Sequence, residues 1–205
     1  INYTKLDNNR DVTCLIGECG LGLPTPWEPN DQLFVTGLGI DYGFNANSIN
    51  YGHKDMYSRH TVNWKQGEYD PRTGNQLRTI PEGSLASVRL GNWDINAEAE
   101  AIRYRYLVDT MQAKIILMKY AVVLEAPGHG LENDPYFRLR LKDENGNTIS
   151  TTCGDFEFSP MNTAIDWNVY EAYVWKDWTT IGMNIAKYHG QVIEIALITR
   201  DCRQT

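Results

Sequence analysis

Period-two alternation is the feature that most restricts what this chain can become. Ala86, Val88 and Leu90 alternate with Ser87 and Arg89. Ile102, Tyr104, Tyr106 and Val108 alternate with Arg103 and Arg105, and Phe137, Leu139 and Leu141 with Arg138, Arg140 and Lys142. Successive side chains of a strand point to opposite sides, so each segment has one face for a core and one for water. Between them, residues 114–125 form a nearly continuous apolar run rich in Ile and Val, which suits a strand covered on both faces. Four such segments in a row, joined by short polar connections, predict an antiparallel all-β fold. Residues 58–64, 173–183 and 191–200 add further strands. The expected core includes Val88, Leu90, Tyr104, Val122, Leu124, Phe137, Leu139, Trp175, Ile193 and Ile195.

The same pattern sets local expectations. In residues 97–101 the odd positions are apolar, whereas from Ile102 onward the even ones are. A one-residue slip turns a buried set to solvent, so a β-bulge is expected at Ala101–Ile102; the alternative is a strand of small residues covered on both faces. Residues 159–169 are the one place for a short helix, with Ile165 and Val169 four apart. Asp70-Pro71, Thr73-Gly74 and Asn145-Gly146 are turn signals. Residues 1–56 carry Pro24, Pro26, Pro29 and several glycines, which predict long N-terminal surface loops around a short strand at 32–36 rather than a second domain.

The chain has 205 residues, suiting a single domain, and is 42% hydrophobic, enough for a sizeable core. Its formal net charge is −7 with no Lys/Arg stripe, which argues against nucleic acid as a partner. No apolar run approaches the roughly 20 residues of a membrane span. Cys14, Cys19, Cys153 and Cys202 allow three pairings. Cys14 and Cys19 would close a small ring, and Cys153 and Cys202 would staple two strand ends; four free thiols are the alternative. None of the spacings is C-x-x-C, which argues against structural zinc.

Catalytic motifs are absent from the sequence: there is no Gly-x-Ser-x-Gly, His-Glu-x-x-His or P-loop. Glu98 and Glu100 are neighbours on one strand face, not carboxylates flanking a bond, and are expected to be solvated. His129 and Asp134 share a long connection, but no nucleophile accompanies them. His60 alternates with Val62 and Trp64 and is expected to face the core. The loop-like sequence around 142–147 lacks the ligand register of a calcium loop and reads as a plain turn. Among 6 Trp and 12 Tyr, Trp27, Tyr42, Tyr51, Tyr57 and Trp93 fall in loop-like regions. There they would either stack on sugars or fasten loops to the core. The candidate ligand-binding residues are therefore Trp27, Tyr42, Tyr51, Trp93, His129 and Asp134.

Several stretches together resemble a family of bacterial cell-surface β-sandwich domains found in large adhesins and gliding-motility-associated proteins exported by the type IX secretion route. They include Ser58-Arg-His-Thr-Val62, Ser87-Val-Arg-Leu-Gly-Asn92, Ala97-Glu-Ala-Glu-Ala-Ile-Arg-Tyr104 and Tyr120-Ala-Val-Val-Leu-Glu-Ala-Pro-Gly-His129. Pro135-Tyr-Phe-Arg-Leu139, Trp175-Lys-Asp-Trp-Thr-Thr180 and Tyr188-His-Gly-Gln191 through Asp201-Cys202 complete the match, which runs from about Ser58 onward. The last of these also resembles the jelly-roll pattern of carbohydrate-binding and cleaved-adhesin domains.

The resemblance implies a jelly-roll sandwich, a segment of a larger surface protein, no catalysis and no cofactor, with structural calcium left open. The implied partners are other domains of the same protein, other surface proteins and, in the second reading, glycans. An oxidising compartment would favour a Cys153–Cys202 disulfide, with Cys14–Cys19 the weaker pairing. Jelly-roll domains of this type also carry a further strand after Asp-Cys. The strand at 191–200 is accordingly expected to lack a neighbour unless it pairs on both sides within these residues.

Overall fold

The computed structural model describes residues 34–38, 50–51, 60–63, 65–84, 86–93, 98–128, 130, 133–149 and 154–202, with backbone only at 34–38, 50–51, 60, 62 and 104. Its strands are β1 (Phe34–Leu38), β2 (Asn50–Tyr51), β3 (His60–Asn63), β4 (Ser87–Leu90), β5 (Glu98–Leu107), β6 (Ile115–Glu125), β7 (Tyr136–Asp143), β8 (Asp155–Phe158), β9 (Asn168–Tyr170), β10 (Tyr173–Asn184) and β11 (Val192–Arg200). The fold is an all-β sandwich. One layer is a five-stranded antiparallel sheet in the order β1-β5-β11-β7-β8. The other is divided into two three-stranded pieces, β2-β3-β4 and β6-β10-β9, antiparallel except where β2 runs parallel to β3. The last strand is inserted between β5 and β7, so neighbours in the sheet are distant in sequence, as in a jelly roll.

β11 does not stand at an edge. It pairs with β5 from Val192↔Leu107 to Arg200↔Ala99, and with β7 from Ile193↔Asp143 to Arg200↔Tyr136. The expectation that it lacks a neighbour is overturned. Its alternating face supplies Ile193 and Ile195 to a core with Leu139, Leu141, Tyr106 and Val108, against which Ile116, Met183 and Ile185 close from the other layer. A second cluster joins Val122, Leu124 and Val174 to Phe137. Tyr120 stacks on Phe137 at 5.6 Å, and the rings of Phe156, Phe158 and Trp167 extend the contact edge to face. Trp175 is buried as expected, whereas Val88 and Leu90 are only half-buried.

Three further expectations fail for physical reasons. No bulge interrupts β5: its register with β1 and β11 is continuous, and Ala99, Glu100, Ala101 and Ile102 are all buried because this part of the strand is covered on both faces. The slip lies in β10 instead, between Lys176 and Thr179, where Asp177 and Trp178 together oppose Ala121 of β6. Residues 159–167 form turns, with Asn162 Oδ1 accepting from Ala164 N at 3.1 Å, and Val169 sits in β9 two-thirds exposed. Asn and Ser side chains here satisfy backbone donors that a helix would need.

The Cys153–Cys202 bond is also not found: Cys202 is a free, buried thiol. Cys153 itself lies outside the described residues, as do Cys14 and Cys19. Its neighbour Gly154 accepts a hydrogen bond from Leu141 N, while Cys202 follows Arg200, which pairs with Tyr136 at the other end of β7. Five residues of strand separate these ends by about 17 Å, and a disulfide needs Cα atoms within about 7 Å.

On the outer face of the five-stranded sheet, Arg138 grips Asp155 through Nε–Oδ1 at 2.7 Å and Nη2–Oδ2 at 2.8 Å. Those two hydrogen bonds, ahead of the charge of Arg140, hold the Asp155 carboxyl below its ordinary range. The turn at 143–147 is a plain hairpin: the Asp143 carboxylate accepts from Asn145 N, Asn147 N and Asn147 Nδ2, and Gly146 supplies the positive φ of 83°.

Two outcomes follow. Leu139 is fully buried, so Leu139→Ala should lower the unfolding free energy by about 2–5 kcal/mol in urea titrations. Because Asp155 titrates lower when folded, its stabilising contribution is full above the unfolded value near 3.9. It is lost as pH falls through the folded value. The urea midpoint of the wild type should therefore drop on acidification below about pH 4, and Asp155→Asn should flatten that part of the profile.

Candidate functional site

The clearest concave feature among the described residues is a groove of about 340 Å³ where the second layer is divided. One wall is β4 with the turn after it, through Trp93. The opposite wall is β6 from Leu117 to Glu125. Ile102, Phe137, Leu197 and Thr199 of the five-stranded sheet form the floor, and Asp201 and Cys202 lie at one end. Among the described strands β4 and β6 each stand at the end of their strand order, and residues of both line the groove above an apolar floor.

The rim is built by the loop between β3 and β4. Asp70 Oδ1 accepts from Arg72 N at 2.8 Å, Pro71 opens a 3-10 turn over Pro71–Thr73, and Gly74 closes it at φ 65°. A Cβ on Gly74 would lie 2.7 Å from the Tyr170 ring, so this position needs glycine for space as well as for φ. Thr73, fully buried, donates to Asp70 O at 2.7 Å and accepts from Leu77 N at 3.0 Å. The loop is latched to β10 by Trp178 Nε1 donating to Arg78 O at 2.8 Å and by Arg72 donating to the Tyr173 hydroxyl.

This folding places an aromatic–arginine array at the rim. The Arg72 guanidinium lies 4.7 Å from the Tyr173 ring and 5.6 Å from that of Trp93, and Arg89 lies 5.4 Å from Trp93. Arg89 Nη2 also donates to Thr61 Oγ1 at 3.3 Å. At the far end, the Arg200 guanidinium sits 4.6 Å over Tyr136 and donates to Asp134 O at 2.6 Å. Among the described lining residues are Arg72, Arg78, Arg89, Lys119 and Arg200, with Asp70, Glu125 and Asp201.

Of the residues expected to bind a ligand, Trp93 alone lines the groove, and its π system is engaged by two guanidiniums. Asp134 is buried, with its backbone held by Arg200 and Gly130, so it acts as a structural joint at the end of β11. Tyr51 is in β2 with its side chain undescribed, and Trp27, Tyr42, Tyr57 and His129 lie outside the described residues. The His60 side chain is likewise undescribed.

The two strand carboxylates are not both solvated. Glu98 Oε2 accepts from Asn92 Nδ2 at 2.6 Å, and Glu100 is buried under the Gly91 turn, accepting from Thr199 Oγ1 at 3.2 Å. The burial of Glu100 follows from the same two-sided cover that removes the expected bulge.

Among the described residues, no group of three or more His, Cys, Asp or Glu is placed to hold a metal ion, and no helix is long and apolar enough to cross a membrane. Sequence reasoning did not single out Arg72, Arg89, Tyr173 or Lys119. Only the Asp-Pro-Arg-Thr-Gly turn marked Arg72 as fixed in a rigid loop. No protein-family model, curated protein or solved structure matches this chain.

Cys202 Sγ lies 4.0 Å from Glu125 Oε2, and burial, reinforced by that carboxylate, pushes its thiol pKa up. Peptide-resolved alkylation at pH 8 should therefore modify Cys202 at least about tenfold more slowly in the folded protein than in urea. Trp93→Ala removes the ring that Arg72 and Arg89 face, and thermal melts should show a loss of about 1–2 kcal/mol.

Proposed function

We propose that this chain is a non-catalytic secreted or cell-surface module for adhesion or for building a surface assembly, of the kind its motifs resemble. The observation that carries this reading is the groove. It joins an apolar floor to a rim of aromatic and arginine side chains, which are materials of recognition. Its carboxylates are buried or engaged by neighbours rather than poised as an acid–base pair. Other surface proteins, or neighbouring domains of a longer chain, are the partners this surface suits.

A second reading, a carbohydrate-binding module that brings an attached enzyme to polysaccharide, draws on Trp93 and Tyr173 at the rim. It is the weaker, because guanidiniums already engage both rings. Sugar stacking wants an open aromatic face.

An antibody against the purified protein should label intact cells of the source bacterium without permeabilisation, and deletion of the gene should reduce attachment to surfaces. Labelling only after permeabilisation would sink the surface reading. A polysaccharide array separates the second reading: binding to one glycan that disappears in Trp93→Ala would replace adhesion with glycan recognition.

A further inference from the structure

We propose that Asn145 is a site of spontaneous, irreversible self-modification, in which the Gly146 nitrogen attacks the Asn145 carboxamide and residue 145 becomes aspartyl or isoaspartyl, the isoaspartyl form loosening the end of β7. This stands apart from the adhesion reading and concerns only the hairpin that follows β7.

The Gly146 amide gives its proton to hydroxide, and its nitrogen bonds to Asn145 Cγ. The Cγ–Nδ2 bond breaks and ammonia leaves, closing a cyclic imide. Water then opens the ring at one of its two carbonyls. Opening at Cγ leaves aspartate. Opening at the main-chain carbonyl leaves isoaspartate, whose chain runs through Cβ and Cγ. One water is consumed, one ammonia is released and nothing is oxidised.

The pair occurs once in the sequence: Asn145 is the one asparagine followed by glycine. Glycine has no side chain to hinder its own nitrogen as it approaches the preceding carboxamide. Among the described residues nothing stands within 4 Å of where a Gly146 Cβ would lie, so ring closure meets no neighbour. Asn145 is exposed, and its hydrogen bond among the described residues is made by its backbone N, to Asp143 Oδ1 at 2.9 Å. That leaves the carboxamide untethered. Asn147, Asn162 and Asn184 are exposed too, but their side chains are held. Asn147 Nδ2 donates to Asp143 Oδ2 at 3.0 Å, Asn162 Oδ1 accepts from Ala164 N at 3.1 Å, and Asn184 Oδ1 accepts from Ala186 N at 3.0 Å. Each of these also precedes a β-branched residue, Thr148, Thr163 or Ile185.

The hairpin slows the attack without blocking it. Gly146 N donates to Asp143 O at 2.9 Å, and must let go of that carbonyl before it can reach Asn145 Cγ. The bond lies at an exposed loop tip, where local opening is least costly.

The product acts on the fold in two ways. It places a new negative charge beside Asp143 and Glu144. Isoaspartate also adds a methylene to the main chain of a loop whose register is fixed by Asp143 N donating to Asn147 O at 2.9 Å and Ile149 N donating to Leu141 O at 2.8 Å. Ile149 packs against the largest core cluster, and its carbonyl accepts from the Tyr188 hydroxyl at 3.0 Å. A longer loop strains that register and loosens the end of β7.

The test ages the whole chain at mildly alkaline pH beside a free peptide of sequence Lys142–Thr148, and maps both by mass spectrometry. Asn145 should exchange NH2 for OH ahead of any other mapped asparagine, with isoaspartate recognised by enzymatic methyl labelling. The rate should rise about tenfold per pH unit, because the attacking nitrogen must first lose its proton. Asn145→Gln should show no product over the same period. Isoaspartyl protein, isolated by ion exchange, should exchange its Ile149 amide at least about tenfold faster than the parent by NMR. Asn145→Asp, which adds the charge without the methylene, should leave that amide nearly unchanged. Asn145 intact when the free peptide has fully converted would overturn the proposal, since the turn would then protect the site. Conversion of another asparagine first would do the same, and so would isoaspartate that leaves Ile149 exchange unaltered.

Discussion

The structure depends on one strand being held from both sides. β11 exchanges backbone hydrogen bonds with β5 and β7 along nearly its whole length, and neither neighbour adjoins it in sequence. Until it docks, β5 and β7 are separate edges whose apolar faces have nothing beside them. Once it docks, Ile193 and Ile195 complete the floor on which Ile116, Met183 and Ile185 close. Such contacts span nearly a hundred residues, so the sheet forms only after substantial loop-closure entropy has been overcome. The fully buried Leu139 and Ile193 are where that cost is offset, through packing rather than local propensity.

How much of this the sequence discloses depends on the range of the interaction. Alternation in β7 reports which face is buried, and that assignment stands because the strand has one face turned from the core. In β4 Ser87 is buried while Val88 and Leu90 are half-buried, and in β11 Ala196 and Ile198 of the second face are buried beside Ile193 and Ile195. It misleads at residues 97–102, where cover on both faces erases the distinction between inward and outward and turns a run of alanines into an apparent slip. It is silent on β10, whose bulge at Asp177–Trp178 serves to bring Trp178 under the loop carbonyl of Arg78. The cysteine pairing was no more legible: Cys202 is a free, buried thiol at the end of β11, and Cys153 lies outside the described residues.

The groove was still less legible, because an edge is defined by what is not beside it. Nothing in Ser87–Leu90 or Ile115–Glu125 reveals that residues of both strands line one groove. Its rim was partly readable: Asp70, Pro71, Thr73 and Gly74 announce a tight turn, and that turn is what aims Arg72. The aromatic residues were read as potential sugar platforms, and Trp93 instead holds arginines. The guanidiniums of Arg72 and Arg89 lie against that indole face in cation–π contact.

That distinction bears on why a divided layer can persist in a folded domain. A bare apolar edge would ordinarily collapse on a neighbour or recruit copies of the same chain. Here the loop carrying Leu77, Arg78 and Pro81 lines the groove between β4 and β6 and is pinned to β10 by the Trp178–Arg78 hydrogen bond. The rim as a whole follows from a rigid turn, a latched tryptophan and arginines held against aromatic rings.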